Sequence, residues 1–167
     1  MIDVGATTPA VEALAAALCR RGWRLATAES CTGGLVAAAC TSLAGSSDWF
    51  ERGFVTYSNA AKVEMLGVDA ALIAAHGAVS GEVAEAMAAG AIAHSQADLA
   101  IAVTGIAGPG GAVPGKPVGT VWLGLMQRGA LPSAVRLQLV GDRSSVRAQT
   151  VESALDRLLA HCGTLAN

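Results

Sequence analysis

The sequence predicts an α/β domain: a three-layer α/β/α sandwich built around a mixed, mostly parallel sheet. Three observations predict it. Short β-type runs alternate with longer alanine-rich helical runs, which places helices on both faces of one sheet. The run Leu99-Ala100-Ile101-Ala102-Val103 is continuously apolar, as a strand covered on both faces requires. Two late strand candidates, residues 118–126 and 133–140, flank Arg128-Gly129 as a hairpin, which makes the sheet mixed.

Each element has its own local signal. Thr8 is the expected N-cap of the first helix, with Pro9 in its first turn; Val11, Leu14, Leu18 and Cys19 recur at helical spacing until Gly22 stops it. Trp23-Arg24-Leu25-Ala26-Thr27 can alternate faces as a strand, and residues 35–43 form an apolar helix candidate. After the loop Ala44-Gly45-Ser46-Ser47, residues 50–58 contain the β-type run Phe54-Val55-Thr56-Tyr57. Asn59 is the expected cap of a helix over residues 60–66, closed by Gly67, and a second short helix over 68–75 ends at His76-Gly77. Ser80 caps a long helix reaching Ser95, with Val83, Met87 and Ala91 on one face. The strand at 98–104 runs into a glycine-rich loop over 105–115. Asp142 caps the last helix, whose apolar face is Val146, Leu155, Leu158 and Leu159. No internal repeat or linker interrupts this order, so residues 1–167 are expected to form one domain.

Composition narrows the function. The chain is 53% apolar but only 4% aromatic, so its core is aliphatic. A formal charge of −2 argues against a nucleic-acid partner, which selects for basic surfaces. No apolar run approaches the ~18 residues of a membrane span, and residues 1–5 lack a signal-peptide pattern. Cys19, Cys31, Cys40 and Cys162 form no C-x-x-C pair, which fits reduced thiols in a cytoplasmic protein. His76, His94 and His161 are scattered, so no metal site is expected.

Chemistry concentrates at Ala28-Glu29-Ser30-Cys31-Thr32-Gly33-Gly34, the border between the first strand and the second helix. A hydroxyl at such a junction lies beside helix N–H groups that have no intrahelical partner and that favour negative charge. Gly33 and Gly34 let a ligand approach the backbone, although Ser and Thr are also ordinary helix caps. Cys31 is an alternative nucleophile, and local pattern alone does not choose between it and Ser30. Tyr57 and Lys62 lie at the end of the next strand and the start of the next helix. A lysine there is ordinarily solvated; buried, it loses its proton more readily and can serve a serine as general base. The stretch Gly110-Gly111-Ala112-Val113-Pro114-Gly115-Lys116 imitates a phosphate-binding P-loop, but Pro117 replaces the magnesium-binding Ser or Thr and a strand follows. The preceding Thr104-Gly105-Ile106-Ala107-Gly108-Pro109 leaves a buried strand where α/β sheets hold ligands, and its glycines allow N–H groups to converge on an anion.

These segments resemble the CinA carboxy-terminal domain family, whose stand-alone bacterial members are PncC-type nicotinamide mononucleotide amidohydrolases. The resemblance is carried by Ala28–Gly34, by Gly45-Ser46-Ser47-Asp48-Trp49-Phe50-Glu51-Arg52-Gly53-Phe54-Val55-Thr56-Tyr57-Ser58-Asn59, by His76-Gly77-Ala78-Val79-Ser80, by Thr104-Gly105-Ile106-Ala107-Gly108-Pro109-Gly110-Gly111, by Lys116-Pro117-Val118-Gly119-Thr120-Val121 and by Gly141-Asp142-Arg143. It covers nearly the whole chain, in order. It implies deamidation of nicotinamide mononucleotide to nicotinate mononucleotide and ammonia, with Ser30 as nucleophile, Lys62 as base and Tyr57 assisting. No metal or organic cofactor is implied. Backbone donors near Thr32, Gly33 and Gly34 are expected at the oxyanion, and Thr104, Gly105, Gly108 and Arg143 are candidates for the substrate phosphate. The competing reading is a non-catalytic nucleotide-binding or competence-associated interaction module, which ammonia release would exclude. Alanine-rich faces and an exposed Trp49-Phe50 would suit a homodimer.

Overall fold

The computed structural model describes residues 7–164. The elements run α1 (Thr8–Arg21), β1 (Leu25–Glu29), α2 (Leu35–Thr41), β2 (Phe50–Val55), α3 (Asn59–Leu66), α4 (Ala70–His76), α5 (Gly81–Ala93), β3 (Leu99–Gly105), β4 (Thr120–Gln127), β5 (Ser133–Gln138) and α6 (Arg143–Thr164), with a short 3-10 turn at Ser46–Asp48. The strands form one sheet in the order β2-β1-β3-β4-β5. β1 pairs in parallel with β2 and with β3, whereas β3–β4 and β4–β5 are antiparallel. β5 therefore points the same way as β1, β2 and β3, and β4 alone is reversed. This is the expected mixed, mostly parallel sheet.

Two cores flank it. On one face Leu25, Leu99, Ile101, Val103, Val121 and Leu123 meet Val11, Leu14 and Leu18 of α1, Val36 and Ala39 of α2, and Val146, Leu155 and Leu158 of α6. On the other, Ala26, Ala28, Ala100 and Ala102 meet Val83, Met87 and Ala91 of α5, with Leu66 and Ile73 of α3 and α4 beside them. Fully burying one of the larger aliphatic side chains contributes ~1.5–3 kcal/mol. The two sheet faces differ in bulk for a steric reason. Gly124 of β4 pairs with Ala102, and a Cβ on Gly124 would stand 2.1 Å from the Ala84 carbonyl oxygen, so α5 rests almost directly on the sheet backbone.

Several local expectations shift. Thr7, not Thr8, is the N-cap of α1, and it makes no side-chain capping bond; Pro9, the second residue of the helix, has no N–H to offer it. β1 is buried at every position rather than alternating, since helices cover both its faces. β2 stops at Val55, which leaves Thr56 and Tyr57 in the connection to α3. Ser58 replaces Asn59 as cap, its hydroxyl accepting from the Ala61 N–H at 3.0 Å. Asp69 caps α4, which starts two residues after Val68. Trp49 is 1% exposed, its indole inside the α1–α2 core and edge-on to the half-buried Phe50, so this pair offers no exposed dimer face. As expected, Gly22 and Gly67 close α1 and α3 in the left-handed region, Ser80 caps α5, and Asp142 accepts from the Ser145 N–H at 2.8 Å. No described helix is long and apolar enough to cross a membrane.

Gly90 of α5 sets where α3 lies, because a Cβ there would stand 2.2 Å from the Leu66 carbonyl oxygen at the end of α3. Gly90→Ala is expected to cost about 1–3 kcal/mol through overpacking. Thermal unfolding should record a midpoint lower by ~3–10 °C. An unchanged midpoint would show that α3 shifts freely at this contact.

Candidate active site

β1 is flanked by β2 on one side and by β3 on the other, so the connections leaving β1 and β3 diverge at the carboxyl ends of the parallel strands. Open α/β sheets bind ligands in the crevice this creates. Ser30 is the first residue beyond β1. Its N–H donates to the Val103 carbonyl at 2.9 Å, which continues the β1–β3 ladder, and its own carbonyl accepts from the Gly33 N–H at 3.0 Å, which closes a tight turn. Gly33 and Gly34 follow with φ of 59° and 99°, a backbone region that side chains disfavour, and α2 begins at once. The chain thus reverses sharply behind Ser30 and leaves its hydroxyl at the crevice.

The next strand delivers the amine. The Thr56 N–H donates to the Glu29 carbonyl at 2.9 Å, extending the β1–β2 pairing past Val55, and Ser58 then starts α3 with Lys62 one turn inside it. Lys62 is 1% exposed. Its Nζ lies 3.0 Å from Ser30 Oγ, donates to the Thr56 carbonyl at 2.9 Å and lies 3.4 Å from the Tyr57 carbonyl. Among the described residues no carboxylate forms an ion pair with it. Burial without a counter-ion disfavours the ammonium and lowers the Lys62 pKa below the ordinary 10.5, against a smaller opposing influence from the Cys31 thiol. A neutral amine has two N–H donors, which the two carbonyls can take, and one lone pair, which is left for the Ser30 proton.

Burial pushes the neighbouring Cys31 thiol up to about 11, so it stays protonated at neutral pH. The thiolate is the nucleophilic form of cysteine. The environment therefore disfavours the thiol that the local pattern left open.

The opposite wall comes from β3 and α6. A cavity of about 270 Å³ is lined by Ser30, Cys31, Tyr57, Lys62 and Arg143 and by the loop after β3. Thr104, Gly105 and Gly108 all line it. The Thr104 hydroxyl donates to the Ala78 carbonyl at 2.8 Å and ties β3 to the α4–α5 connection. At Gly105 a Cβ would stand 2.7 Å from Val121 Cγ2, so this wall tolerates no side chain. Arg143 spans the mouth: its guanidinium donates to the Gly108 carbonyl at 2.9 Å and to the Tyr57 hydroxyl at 3.1 Å. Tyr57 is 59% exposed at this rim, where its ring borders the cavity rather than filling it.

Ser30, Tyr57, Lys62, Thr104, Gly105, Gly108 and Arg143 are thus brought together. Thr32, Gly33 and Gly34 are not among the residues lining the cavity. They form the turn behind Ser30: Thr32 is fully buried, its carbonyl accepts from Arg147 at 3.0 Å, and the Gly33 N–H is already used within the turn. Two contributors escape a reading of side-chain types. One is the Thr56 carbonyl, a backbone group that any residue would supply. The other is Glu29, whose carboxylate reaches the start of α2. Its available signal was a helix that begins after glycine, with no side chain of its own to accept the first N–H groups. No group of three or more His, Cys, Asp or Glu side chains with metal-holding geometry occurs among the described residues.

The family model for the CinA C-terminal domain matches residues 7–162. The chain belongs to this family. It is 49% identical over 146 residues to the nicotinamide-nucleotide amidohydrolase PncC of Enterobacter agglomerans, an alignment covering 87% of this chain and 89% of that one. It is 56% identical over 145 residues to a CinA-like protein of Citrifermentans bemidjiense, but there the match takes in 87% of this chain and only 35% of the longer relative. Among solved structures, the competence-damaged protein (CinA) superfamily protein of Klebsiella pneumoniae 700603 superposes with a TM-score of 0.91 at 40% identity, over 95% of this chain and 98% of that one. The α/β architecture is therefore that of the CinA domain.

The buried amine has a thermodynamic signature. With its folded-state pKa below 10.5, the unfolded chain binds more protons between the two values, and stability must rise with pH across that window. Compared with Lys62→Met, which cannot titrate, the wild-type protein is expected to gain stability from neutral pH towards 10.5, with a slope no steeper than ~1.4 kcal/mol per pH unit. Urea unfolding of both proteins at several pH values measures the difference. A pH-independent difference would mean that the amine keeps its ordinary affinity for protons.

Proposed function

We propose that this CinA-domain protein hydrolyses the carboxamide of nicotinamide mononucleotide, releasing nicotinate mononucleotide and ammonia, by a serine–lysine mechanism. The 3.0 Å contact between Ser30 Oγ and the buried Lys62 Nζ carries the reading. The PncC name of a relative 49% identical across nearly its whole length supplies the substrate class.

Neutral Lys62 takes the Ser30 proton as Oγ attacks the carboxamide carbon, forming a tetrahedral intermediate with charge on the former carbonyl oxygen. Cys31 lines the cavity next to Ser30, and its main-chain N–H is the candidate oxyanion donor. The Lys62 ammonium then returns its proton to the departing nitrogen. Ammonia leaves, and a nicotinoyl ester remains on Ser30. Water, deprotonated by the same amine, attacks that ester; the proton passes back to Oγ, and the carboxylic acid product ionises. Tyr57 assists from the rim by holding Arg143, whose guanidinium is the candidate partner for the substrate phosphate, together with Thr104 and Gly105 at the end of β3 and Gly108 of the loop that follows. The reaction requires no organic cofactor, because a hydroxyl, an amine and water account for every bond made and broken.

Purified protein incubated with nicotinamide mononucleotide should release ammonia, and it should continue to do so in the presence of a chelator. Ser30→Ala is expected to reduce turnover by at least ~10³-fold while the fold and substrate binding persist. Lys62→Arg should lose ~10²–10⁴-fold, since a guanidinium stays protonated and cannot accept the Ser30 proton. Wild-type activity should rise with pH through the lowered titration of Lys62. Near-normal turnover by Ser30→Ala together with an inactive Cys31→Ala would move the nucleophile to the thiol.

A further inference from the structure

We propose that Glu29 is a positioning residue for the serine–lysine pair, holding both of its halves from the end of β1. The inference rests on the reading of Ser30 and Lys62 given above. Glu29 is 1% exposed, a buried carboxylate on the last residue of β1, between β2 and β3. Such a group persists in the interior only where hydrogen-bond donors replace water. Two do so: the main-chain N–H groups of Val36 at 2.8 Å and of Ala37 at 3.0 Å each donate to one carboxylate oxygen. These are first-turn groups of α2, without intrahelical acceptors, and the cap of that helix is Gly34, which has no side chain to offer.

The carboxylate therefore closes a loop from residue 29 to residue 37 around the turn that carries Ser30. Besides this carboxylate, the turn is held at its strand end by the Ser30 N–H on the Val103 carbonyl and from α6 by Arg147, which donates to the Thr32 carbonyl; only Glu29 ties the turn to the start of α2 through a side chain. The same residue's carbonyl accepts from the Thr56 N–H at 2.9 Å, and the Thr56 carbonyl in turn accepts from Lys62 Nζ at 2.9 Å. One side of Glu29 fixes the nucleophile's turn, and the other fixes the group that aims the base. Glu29 is not among the residues lining the cavity. The role is to set the separation and angle of Oγ and Nζ, on which proton transfer depends, and a displacement of about 1 Å in such a pair costs on the order of a hundredfold in rate.

Glu29→Gln retains the shape but faces one of the two N–H groups with an NH₂, and Glu29→Ala removes both acceptors. With nicotinamide mononucleotide at a temperature where each variant is folded by circular dichroism, kcat is expected to fall about 10-fold for Glu29→Gln and about 100-fold for Glu29→Ala, with KM unchanged within about twofold. Labelling of Ser30 by a fluorophosphonate should slow in the same ratio. A purely structural carboxylate would instead lower the melting temperature and leave kcat and labelling at wild-type values, which would overturn the proposal. Amide hydrogen exchange on the wild-type protein gives a test that needs no variant. The Val36 and Ala37 amides should be protected, and exchange at the rate of free first-turn amides would overturn the role. Ser30→Ala separates the two possible failures. Turnover retained there overturns the serine–lysine reading, whereas an inactive Ser30→Ala beside a fully active Glu29→Ala overturns the positioning role alone.

Discussion

Among the described residues the hydrogen-bond partners of the Lys62 amine are uncharged: the Thr56 and Tyr57 carbonyls and the Ser30 hydroxyl. An exposed lysine or one paired with a carboxylate would remain an ammonium, able to hold an anion but unable to accept a proton. The surrounding architecture buries it, and among the described residues no carboxylate pairs with it. α3 starts at a serine cap one turn before Lys62, α5 packs against α3 from behind, and the strand connection leaving β2 presents backbone oxygens instead of acidic side chains. The chemistry of the site thus follows from an electrostatic omission. Only a folded interior can enforce it, because an unfolded or surface lysine is always solvated.

That omission requires close packing, and close packing here depends on small side chains. Ala26, Ala28, Ala100 and Ala102 carpet the sheet face under α5, and Gly124 lets the Ala84 carbonyl approach the strand itself. At the other side of α5, Gly90 admits the end of α3 just as closely. The alanine content of the chain is thereby explained without a membrane. Small residues bring a helix nearer to the sheet and shorten the reach from the α3 backbone to the carboxyl end of β1. The opposite sheet face, with leucine, isoleucine and valine, follows ordinary aliphatic packing under α1, α2 and α6.

The cavity assembles from segments distant in the chain, each leaving the same edge of the sheet. Ser30 follows β1, Tyr57 and Lys62 follow β2, Thr104 and Gly105 end β3 and Ile106 to Gly108 follow it, and Arg143 opens α6. Parallel strands make this convergence possible, since their carboxyl ends lie side by side while the intervening helices return the chain across the sheet. Arg143 joins the rims by bonding both Gly108 and Tyr57, and so links the last helix to loops that arise 35 and 86 residues earlier.

Much was determined by the sequence alone. Capping residues, glycines and apolar periodicity placed the helices and strands, and the hairpin after β3 announced the one reversed strand, because these signals act within a few residues. The Ser30 turn and the glycine loop were legible for the same reason, and family resemblance joined them to Tyr57 and Lys62. Only the tertiary structure decided the rest. It buried Trp49, which local hydrophobicity could not assign to core or surface, and it covered both faces of β1. It placed Lys62 in the interior, where a lone lysine in a short helix reads as solvated. It buried the Cys31 thiol, which raises its pKa, and turned Glu29 inward to α2. Each of these depends on what surrounds a group in space: dielectric, counter-ions and unfilled donors come from residues far away in the chain, and no local pattern records them.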